Sequence, residues 1–431
     1  MRGRPNLYTQ YDAEMGLFPT ATKRISIGLL ALIAVLAPLA ALPFVGYVGD
    51  GSWLVLINKA LVFAVGALGL NLLTGVAGQV SLGHSFFMAV GAYTAVVLGG
   101  EAGKTVWGLG LPMWVWLPAA GIVAALIGIF VAPTAVRVRG LYLAFVTLGL
   151  VFIGQYLWRN LGSVAGGPTT GRPWPELEFA LWRNMDPLIS FTSDGDLWWW
   201  LRPINLLPWV NMEEVEGVPQ MSGDAKTYFF VLVMAAVFAL IAKNLMRTRV
   251  GRSWAAIRDR DIAAEVMGVN EAKGKTQAFA ISSFYAGVAG AVFASVVGRI
   301  IPDTWDIFLS VEFIAIILIG GAGTIVGTLM GTFFVVLSPR VVENVTGFLA
   351  TQAEEGGAFS WLGNLFVRSG PDDLIGIVSY PDAAGPGLSV AQLNIVLFGV
   401  LIIVFLIVEP LGLYGIWLRV RNYWKGWPFT Y

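Results

Sequence analysis

The sequence predicts an all-α protein that crosses a membrane many times, and three observations lead to this fold class. First, 57% of the 431 residues are hydrophobic and only 13% are charged, whereas soluble domains carry about 25% charged residues. Second, the apolar residues form blocks close to the length of about 20 residues that a helix needs to cross a bilayer. Third, lysine and arginine gather in connections on one side, as they do in cytoplasmic loops.

About ten apolar segments are candidate transmembrane helices. They form three groups, at 25–160, 228–342 and 392–415, and the segments at 82–99 and 308–322 are short and rich in glycine. The predicted spans are 25–48, 53–76, 82–99, 112–133, 140–160, 228–246, 276–298, 308–322, 324–342 and 392–415.

Charge distribution predicts the orientation of these spans. Counting spans places the tail 1–24, the loop 247–275 and the tail 416–431 on one side, and this side carries most of the basic residues. The positive-inside rule makes that side the cytoplasm, so both ends are expected there. The tail 1–24 does not resemble a cleavable signal, and the span 25–48 is interpreted as retained.

Two long segments, 161–227 and 343–391, lie on the opposite, periplasmic side in this topology. The first is rich in tryptophan, which favours the membrane–water interface. We therefore expect it to lie on the outer leaflet and cover the mouth of the bundle, with direct substrate contact as the alternative. Its tryptophans are Trp174, Trp182, Trp198, Trp199, Trp200 and Trp209. Tyr423, Trp424 and Trp427 are expected to anchor the inner end in the same way.

Composition excludes several kinds of site. The chain has no cysteine and a single histidine, His84, so neither a disulfide framework nor a cysteine- or histidine-based metal cluster can form. Residues 268–276 (GVNEAKGKT) look like a phosphate-binding loop, but five residues separate the first glycine from the GKT instead of four. We predict no catalytic residue and no cofactor in this chain.

The segment 69–84 (GLNLLTGVAGQVSLGH) breaks an apolar helix with glycines and polar side chains. Irregular backbone is tolerated within a membrane only where protein buries it or water reaches it. These polar residues therefore either line the substrate pathway or serve as a hinge and packing contact. The candidates are Asn71, Thr74, Gln79, Ser81 and His84. For His84 the alternatives are a hydrogen-bonded structural residue and a gating or substrate contact.

Residues 73–78 (LTGVAG) resemble residues 318–323 (LIGGAG), and each run precedes another apolar helix. Internal repeats are common in transporters and flank the pathway, although chance similarity of glycine-rich helices is the alternative. Glu312, inside the span 308–322, is a further pathway candidate. It could equally pair with Arg299 at the interface, because a charge in a membrane seeks a partner.

The loop residues 252–268 are rich in alanine and predict a short amphipathic helix that Gly268 terminates. Trp254, Ile257, Ile262, Val266 and Met267 are expected on one side. Such a helix could dock into the groove of a soluble partner or rest on the inner leaflet.

Four stretches together resemble the LivM-type permeases of branched-chain amino acid ABC importers. They are 70–93, 139–148, 256–268 and 312–323. Residues 263–268 resemble part of the coupling motif through which such permeases contact their ATPases, although Ile262 stands where that motif has glutamate. The residues implied in coupling are Trp254, Ile257, Ile262, Ala263, Ala264, Val266 and Gly268.

The resemblance implies a subunit of the bacterial inner membrane that pairs with a second homologous permease. Two ATPase subunits would bind ATP and Mg²⁺, and a periplasmic binding protein would deliver branched-chain or other neutral amino acids. Similar permeases carry urea and short amides, so that substrate class stays open. An ion-coupled secondary transporter is a weaker alternative, because the span centres hold almost no charge apart from Glu312 and Lys59. A structural membrane protein would not need the amphipathic loop helix.

Overall fold

The computed structural model shows a bundle of helices with a few very short strands at its periphery. It describes residues 21–39, 41–42, 46–47, 51–103, 106–138, 140–167, 169–180, 189–193, 195–196, 214–215, 218–355, 360–361, 366–368, 378–379, 388–409 and 411–426. The α-helices of six or more residues are α1 (Ala21–Leu36), α2 (Gly51–Leu70), α3 (His84–Gly99), α4 (Met113–Arg137), α5 (Leu141–Asn160), α6 (Gly223–Arg247), α7 (Arg249–Asp259), α8 (Asp261–Val266), α9 (Glu271–Val297), α10 (Ile307–Gly320), α11 (Ile325–Glu355), α12 (Val390–Val408) and α13 (Gly412–Gly426). A π-helical segment, Asn71–Val76, continues α2.

Short strands lie in the connections. They are β1 (Ala41–Leu42), β2 (Gly46–Tyr47), β3 (Arg172–Pro173), β4 (Glu178–Phe179), β5 (Ile189–Ser190), β6 (Gly195–Asp196), β7 (Glu214–Val215), β8 (Val218–Met221), β9 (Arg299–Ile300), β10 (Val367–Arg368), β11 (Val378–Ser379) and β12 (Leu388–Ser389). Antiparallel pairs join β1 to β2, β3 to β9, β4 to β5, and β8 to both β6 and β7, while β10, β11 and β12 are parallel.

The all-α polytopic fold class is confirmed. Six helices of the described chain are long and apolar enough to cross a bilayer. They run over Trp53–Val76, Met113–Arg137, Tyr142–Asn160, Gly223–Arg247, Glu271–Val297 and Ile325–Gln352. The two short glycine-rich segments are also helical, as α3 with 16 residues and α10 with 14. These lengths correspond to roughly 24 and 21 Å, less than the roughly 30 Å of bilayer hydrocarbon, so the number of complete spans remains a prediction.

The centre of the bundle is α9, which packs against α2, α3 and α4. Small residues make this packing close. A Cβ added at Gly290 would collide with the backbone of Met88, and one at Gly91 would collide with the backbone of Gly287. Close approach of this kind lets helices associate in lipid, where burial of apolar surface gives no advantage.

Helix ends differ from the predicted limits at both ends of the chain. The first helix stops at Leu36 and a 3₁₀ turn that contains Pro38 follows, because proline disfavours the helical conformation of the residue before it. The last predicted span, 392–415, is interrupted. Its helix α12 ends at Val408 and α13 starts separately at Gly412, with Pro410 between them in the sequence.

The long segment 161–227 is attached to the bundle by β3, which pairs with β9. Trp174 is partly buried and meets Trp116 edge-on, with ring centroids 6.1 Å apart. The other tryptophans of this segment lie outside the described residues, so its position on a leaflet remains a prediction. The segment 343–391 does not begin as a loop, because α11 continues to Glu355.

The bundle has two chemically different ends. The end that carries α7, α8 and the last turn of α4 we call the basic end, and the one that carries β3, β9 and the start of α10 we call the opposite end. At the opposite end Arg159 forms an ion pair of 2.7 Å with Asp303. Arg172 is buried there beside the carbonyls of Val164 and Glu101. Burial lowers the pKa of Arg172 from its ordinary value.

Candidate functional site

Two glycine-containing turns meet at the basic end, and we call this meeting point the glycine junction (residues 71–78 and 320–324). Asn71 joins the two. Its Oδ1 accepts a hydrogen bond of 2.7 Å from the backbone N–H of Gly323, and its Nδ2 donates one of 3.2 Å to the carbonyl of Thr324. The two similar sequence runs are therefore in direct contact in space.

Glycine is required in this junction for lack of space. A Cβ at Gly75 would overlap both the Asn71 side chain and the backbone nitrogen of Gly323. Gly78 has φ of +70°, a conformation that glycine adopts at no steric cost. The contact between the two turns therefore depends on the absence of side chains.

A side chain from the loop between α6 and α9 reaches this junction. Arg258, in the last turn of α7, donates a hydrogen bond of 2.7 Å from Nη1 to the carbonyl oxygen of Gly75. Its aliphatic part covers Gly78, where an added Cβ would lie 2.5 Å from Arg258 Cγ. The last carbonyls of a helix have no partner within it, and Arg258 supplies one. Arg258 was not predicted to have this role.

Three further predicted pathway residues, besides Asn71, form hydrogen bonds within the chain. Thr74 donates to the carbonyl of Gln79 at 3.0 Å, the Gln79 amide donates to the carbonyl of Ala77 at 3.1 Å, and Ser81 Oγ accepts from the N–H of Gly83 at 3.3 Å. These bonds satisfy the irregular backbone that leads to α3. Both the packing role and the pathway role of these side chains remain predictions.

His84 starts α3 and is almost fully buried. Its ring lies 4.7 Å from that of Phe313 on α10, and its Nε2 is buried without a hydrogen-bond partner in the described structure. Next to it, Ser310 Oγ donates to Ser85 Oγ at 2.8 Å and accepts from the Ser85 N–H at 3.0 Å. Through these contacts the short helices α3 and α10 pack against each other.

Glu312 lies on α10 and is partly buried. The charged groups that act on it are Lys59 and Asp306. Arg299, the alternative partner expected from the sequence, instead donates a hydrogen bond to the carbonyl of Thr170. Lys59 of α2 lies over the Phe63 ring at 5.0 Å and forms no ion pair with Glu312 in the described structure.

The predicted amphipathic helix 252–268 is two helices instead of one. Arg260 is extended and separates α7 from α8. Trp254 is completely buried, and its Nε1 donates to the carbonyl of Gly274 at 2.9 Å. Ile257 is also buried and packs on Gly274. We call Trp254 and Ile257 the anchor, because they fix α7 to the start of α9.

A buried ion pair lies beside the anchor. Lys275 and Glu271, one turn apart on α9, are 2.6 Å apart with almost no exposure. Lys275 also donates to the carbonyl of Ala135 near the end of α4, at 3.2 Å. The helices α4 and α9 are thereby held together directly behind α7.

The other apolar side chains of the loop point outward. Ile262 is 66% exposed, Val266 82% and Met267 84%, and we call these three residues the apolar tip. The expectation that they share a side with Trp254 and Ile257 is wrong, because the break at Arg260 turns α8 away.

The remaining predicted coupling residues divide in the same way. Ala264 is buried, whereas Ala263 and Gly268 are exposed. Gly268 has φ of +85° after the end of α8, so the predicted helix stop is correct. The run that resembled a phosphate loop forms the start of α9, where Asn270 caps the helix by accepting from the Lys273 N–H.

Each end of the bundle has a cavity. At the basic end a polar one of about 210 Å³ lies between the glycine junction and α7, lined by Gln79, Arg258 and Lys275 among others. At the opposite end a larger one of about 640 Å³ is lined in part by Trp174, Glu176 and Glu178. Burial and the neighbouring Glu176 raise the pKa of Glu178. Among the described residues no cluster of His, Asp and Glu could hold a metal ion.

This chain is similar to known proteins over most of its length. The family described as "Branched-chain amino acid transport system / permease component" matches residues 52–406. The high-affinity branched-chain amino acid transport system permease protein LivM of Salmonella typhimurium is 29% identical over 322 residues, which cover 73% of this chain and 68% of that protein.

Other relatives are similar over the same or a shorter region. The LivM protein of Escherichia coli is 28% identical over the same shares of both chains. An autoinducer 2 import system permease protein, LsrC of an Enterobacter species, is 33% identical over 141 residues, which are 30% of this chain and 41% of that protein. No solved structure matches.

Proposed function

The chain belongs to the permease-component family of branched-chain amino acid transport systems, and we propose that it is the membrane-spanning subunit of an ATP-driven importer. Its substrates are branched-chain or other neutral amino acids that a periplasmic binding protein delivers. A second homologous permease pairs with it, and two ATPase subunits bind below. The complex lies in the bacterial inner membrane, with both ends of this chain in the cytoplasm.

The observation that carries this proposal is the apolar tip on a firmly held base. Three large apolar side chains, Ile262, Val266 and Met267, stand exposed on α8. Exposed apolar groups on a protruding element are typical of a surface that a partner covers. Because the anchor fixes α7 to α9, a partner bound at the tip can push on the bundle.

The charge pattern supports the orientation. The basic end carries Arg137, Arg247, Arg249 and Arg252 close to the ends of α4 and α6. Basic residues next to spans favour the cytoplasmic side. That side is where ATPase subunits would have access to ATP.

The first experiment tests the partner. The double variant Ile262→Asp, Val266→Asp is co-expressed with the ATPase subunits of the same importer, and co-purification is measured. Burying each apolar side chain is worth about 1.5–3 kcal/mol, so we expect binding to weaken by about a hundredfold or more. Ala272→Asp, an exposed position at the start of α9, is the matched control and should bind normally. Unchanged binding of the double variant would show that the apolar tip does not contact the ATPase subunits.

The second experiment tests the substrate. Uptake of labelled leucine is compared with uptake of labelled urea in cells that carry or lack the gene. We expect leucine uptake to depend on the gene and urea uptake to be independent of it. Gene-dependent urea uptake would instead assign the urea and short-amide class.

A further inference from the structure

Arg258 connects the loop helix α7 to the membrane-embedded part of the chain. Its guanidinium donates to the carbonyl of Gly75 at 2.7 Å, at the end of the π-helical segment that extends α2. It is also paired with Asp259 at 3.2 Å, and its side chain is 44% exposed. A hydrogen bond from a charged donor is stronger than one between neutral groups.

The position of Arg258 is special because both glycine turns meet there. Its Nη1 lies 3.5 Å from where a Cβ of Gly323 would be. Gly75, which accepts its hydrogen bond, is packed against Gly323, and Asn71 ties the two turns together. One arginine thus touches the end of α2 and stands beside the turn between α10 and α11.

The helix α7 is therefore attached at two points of different character. The anchor is apolar and faces α9. Arg258 is polar and faces the glycine junction. A helix that is held by one buried face can rotate about that face. The contact of Arg258 then determines which part of the bundle moves when α7 rotates. Glycine turns adapt to such a movement at low cost, because glycine tolerates a wide range of backbone angles.

From this geometry we propose that Arg258 is the positioning residue that transmits movement of α7 to the two glycine turns. When a partner pushes on the apolar tip, α7 rotates about Trp254 and Ile257. The guanidinium then draws the Gly75 carbonyl with it, and the turn at Gly323 follows through Asn71. This inference rests on the proposed function, since the ATPase subunits supply the push.

The test measures the distance between the two turns. The natural chain has no cysteine, so Val80→Cys and Val326→Cys can carry two spin labels at unique positions. Val326 is 48% exposed and Val80 partly exposed. In the complex with its ATPase subunits, the label distance is measured by pulsed electron resonance without nucleotide and after trapping with ATP and vanadate.

In the labelled chain with Arg258 intact we expect trapping to shift the distance by about 2 Å or more, the scale of helix shifts in switching proteins. Arg258→Gln should lose most of this shift while ATPase binding and ATP hydrolysis stay within about twofold, since the apolar tip is untouched. Arg258→Lys keeps the charge and a donor and should retain much of the shift. Arg260→Gln, which removes an exposed charge two residues away, should retain all of it.

Two results would overturn the inference. One is an equal shift in Arg258→Gln and in the chain with Arg258 intact. The other is no shift on trapping in the intact chain, because then the turns do not move. Failure of the ATPase subunits to bind the intact chain is a different result and would contradict the proposed function itself.

Discussion

The helices α7 and α8 adjoin in sequence and are both partly apolar, yet they do opposite things with their apolar residues. α7 buries Trp254 and Ile257 against the start of α9, whereas α8 exposes Ile262 and Val266. Only the extended residue Arg260 separates them. The difference shows that one loop contains both a part that is fixed to the bundle and a part whose apolar side chains are exposed.

The break also sets where these apolar residues lie relative to one another. On one straight helix with 3.6 residues per turn, residues 254, 257, 262 and 266 would spread over about 180° of the helix surface. The break at Arg260 lets the loop grip the bundle with one half and offer apolar surface with the other.

The largest effect is expected from the anchor. Trp254→Ala removes a completely buried indole and its hydrogen bond to Gly274, and should destabilise the protein by about 3–5 kcal/mol. Met267→Ala at the tip should change stability by less than about 0.5 kcal/mol. Thermal unfolding of both variants in detergent measures the contrast. Similar losses of stability in the two variants would contradict the distinction between the anchor and the apolar tip.

A smaller effect is expected from the ion pair that supports the anchor. Lys275→Met leaves the carboxylate of Glu271 buried without its cation, and such losses cost about 3 kcal/mol or more. Glu271 is in the first turn of α9, where the helix dipole still favours a negative charge, so we expect the lower end.

The double variant Lys275→Met, Glu271→Met separates the contribution of the ion pair to stability from the contribution of side-chain packing. It should recover part of the lost stability, because the buried carboxylate is removed together with the lysine that balances it. Thermal unfolding compares it with each single variant. If the double variant is less stable than Lys275→Met alone, the charge of Glu271 is stabilised by other groups and the ion pair is not what supports the anchor.

The smallest effect concerns the start of α8. Asp261 Oδ1 accepts from the N–H of Ile262 at 2.8 Å, and acids in the first turn of a helix contribute about 0.3–1 kcal/mol. Asp261→Ala should therefore speed hydrogen exchange of the α8 amides about two- to fivefold and leave the α7 amides unchanged. Equal acceleration in both helices would mean that the two halves unfold together.

Much of the helical framework was predictable from the sequence because it depends on local features. Apolar length placed α4, α5, α6 and α9 within a few residues of their observed limits. Predictions were poorer at Pro38 and Pro410, where a long apolar run hid a helix break. Hydropathy averages over a window and does not register one residue that removes a backbone donor.

The candidate site was predictable only in part. The similarity of 73–78 to 318–323 pointed to both turns of the glycine junction, although their contact through Asn71 could not be read from the chain. Arg258 was one of several arginines in a basic loop, and nothing in composition distinguished it from Arg260. Which of two neighbouring arginines reaches a carbonyl 183 residues away depends on how three helices pack.

The amino acids alone indicate that this chain is a polytopic helical membrane protein with a basic, partly amphipathic loop. These properties follow from solvation, which acts on each segment separately: apolar blocks avoid water and charged loops avoid lipid. The folded chain was needed to show that Trp254 is buried while Val266 is exposed, and that Arg258 contacts Gly75. Such choices depend on the space left between packed helices, and a linear sequence does not record that space.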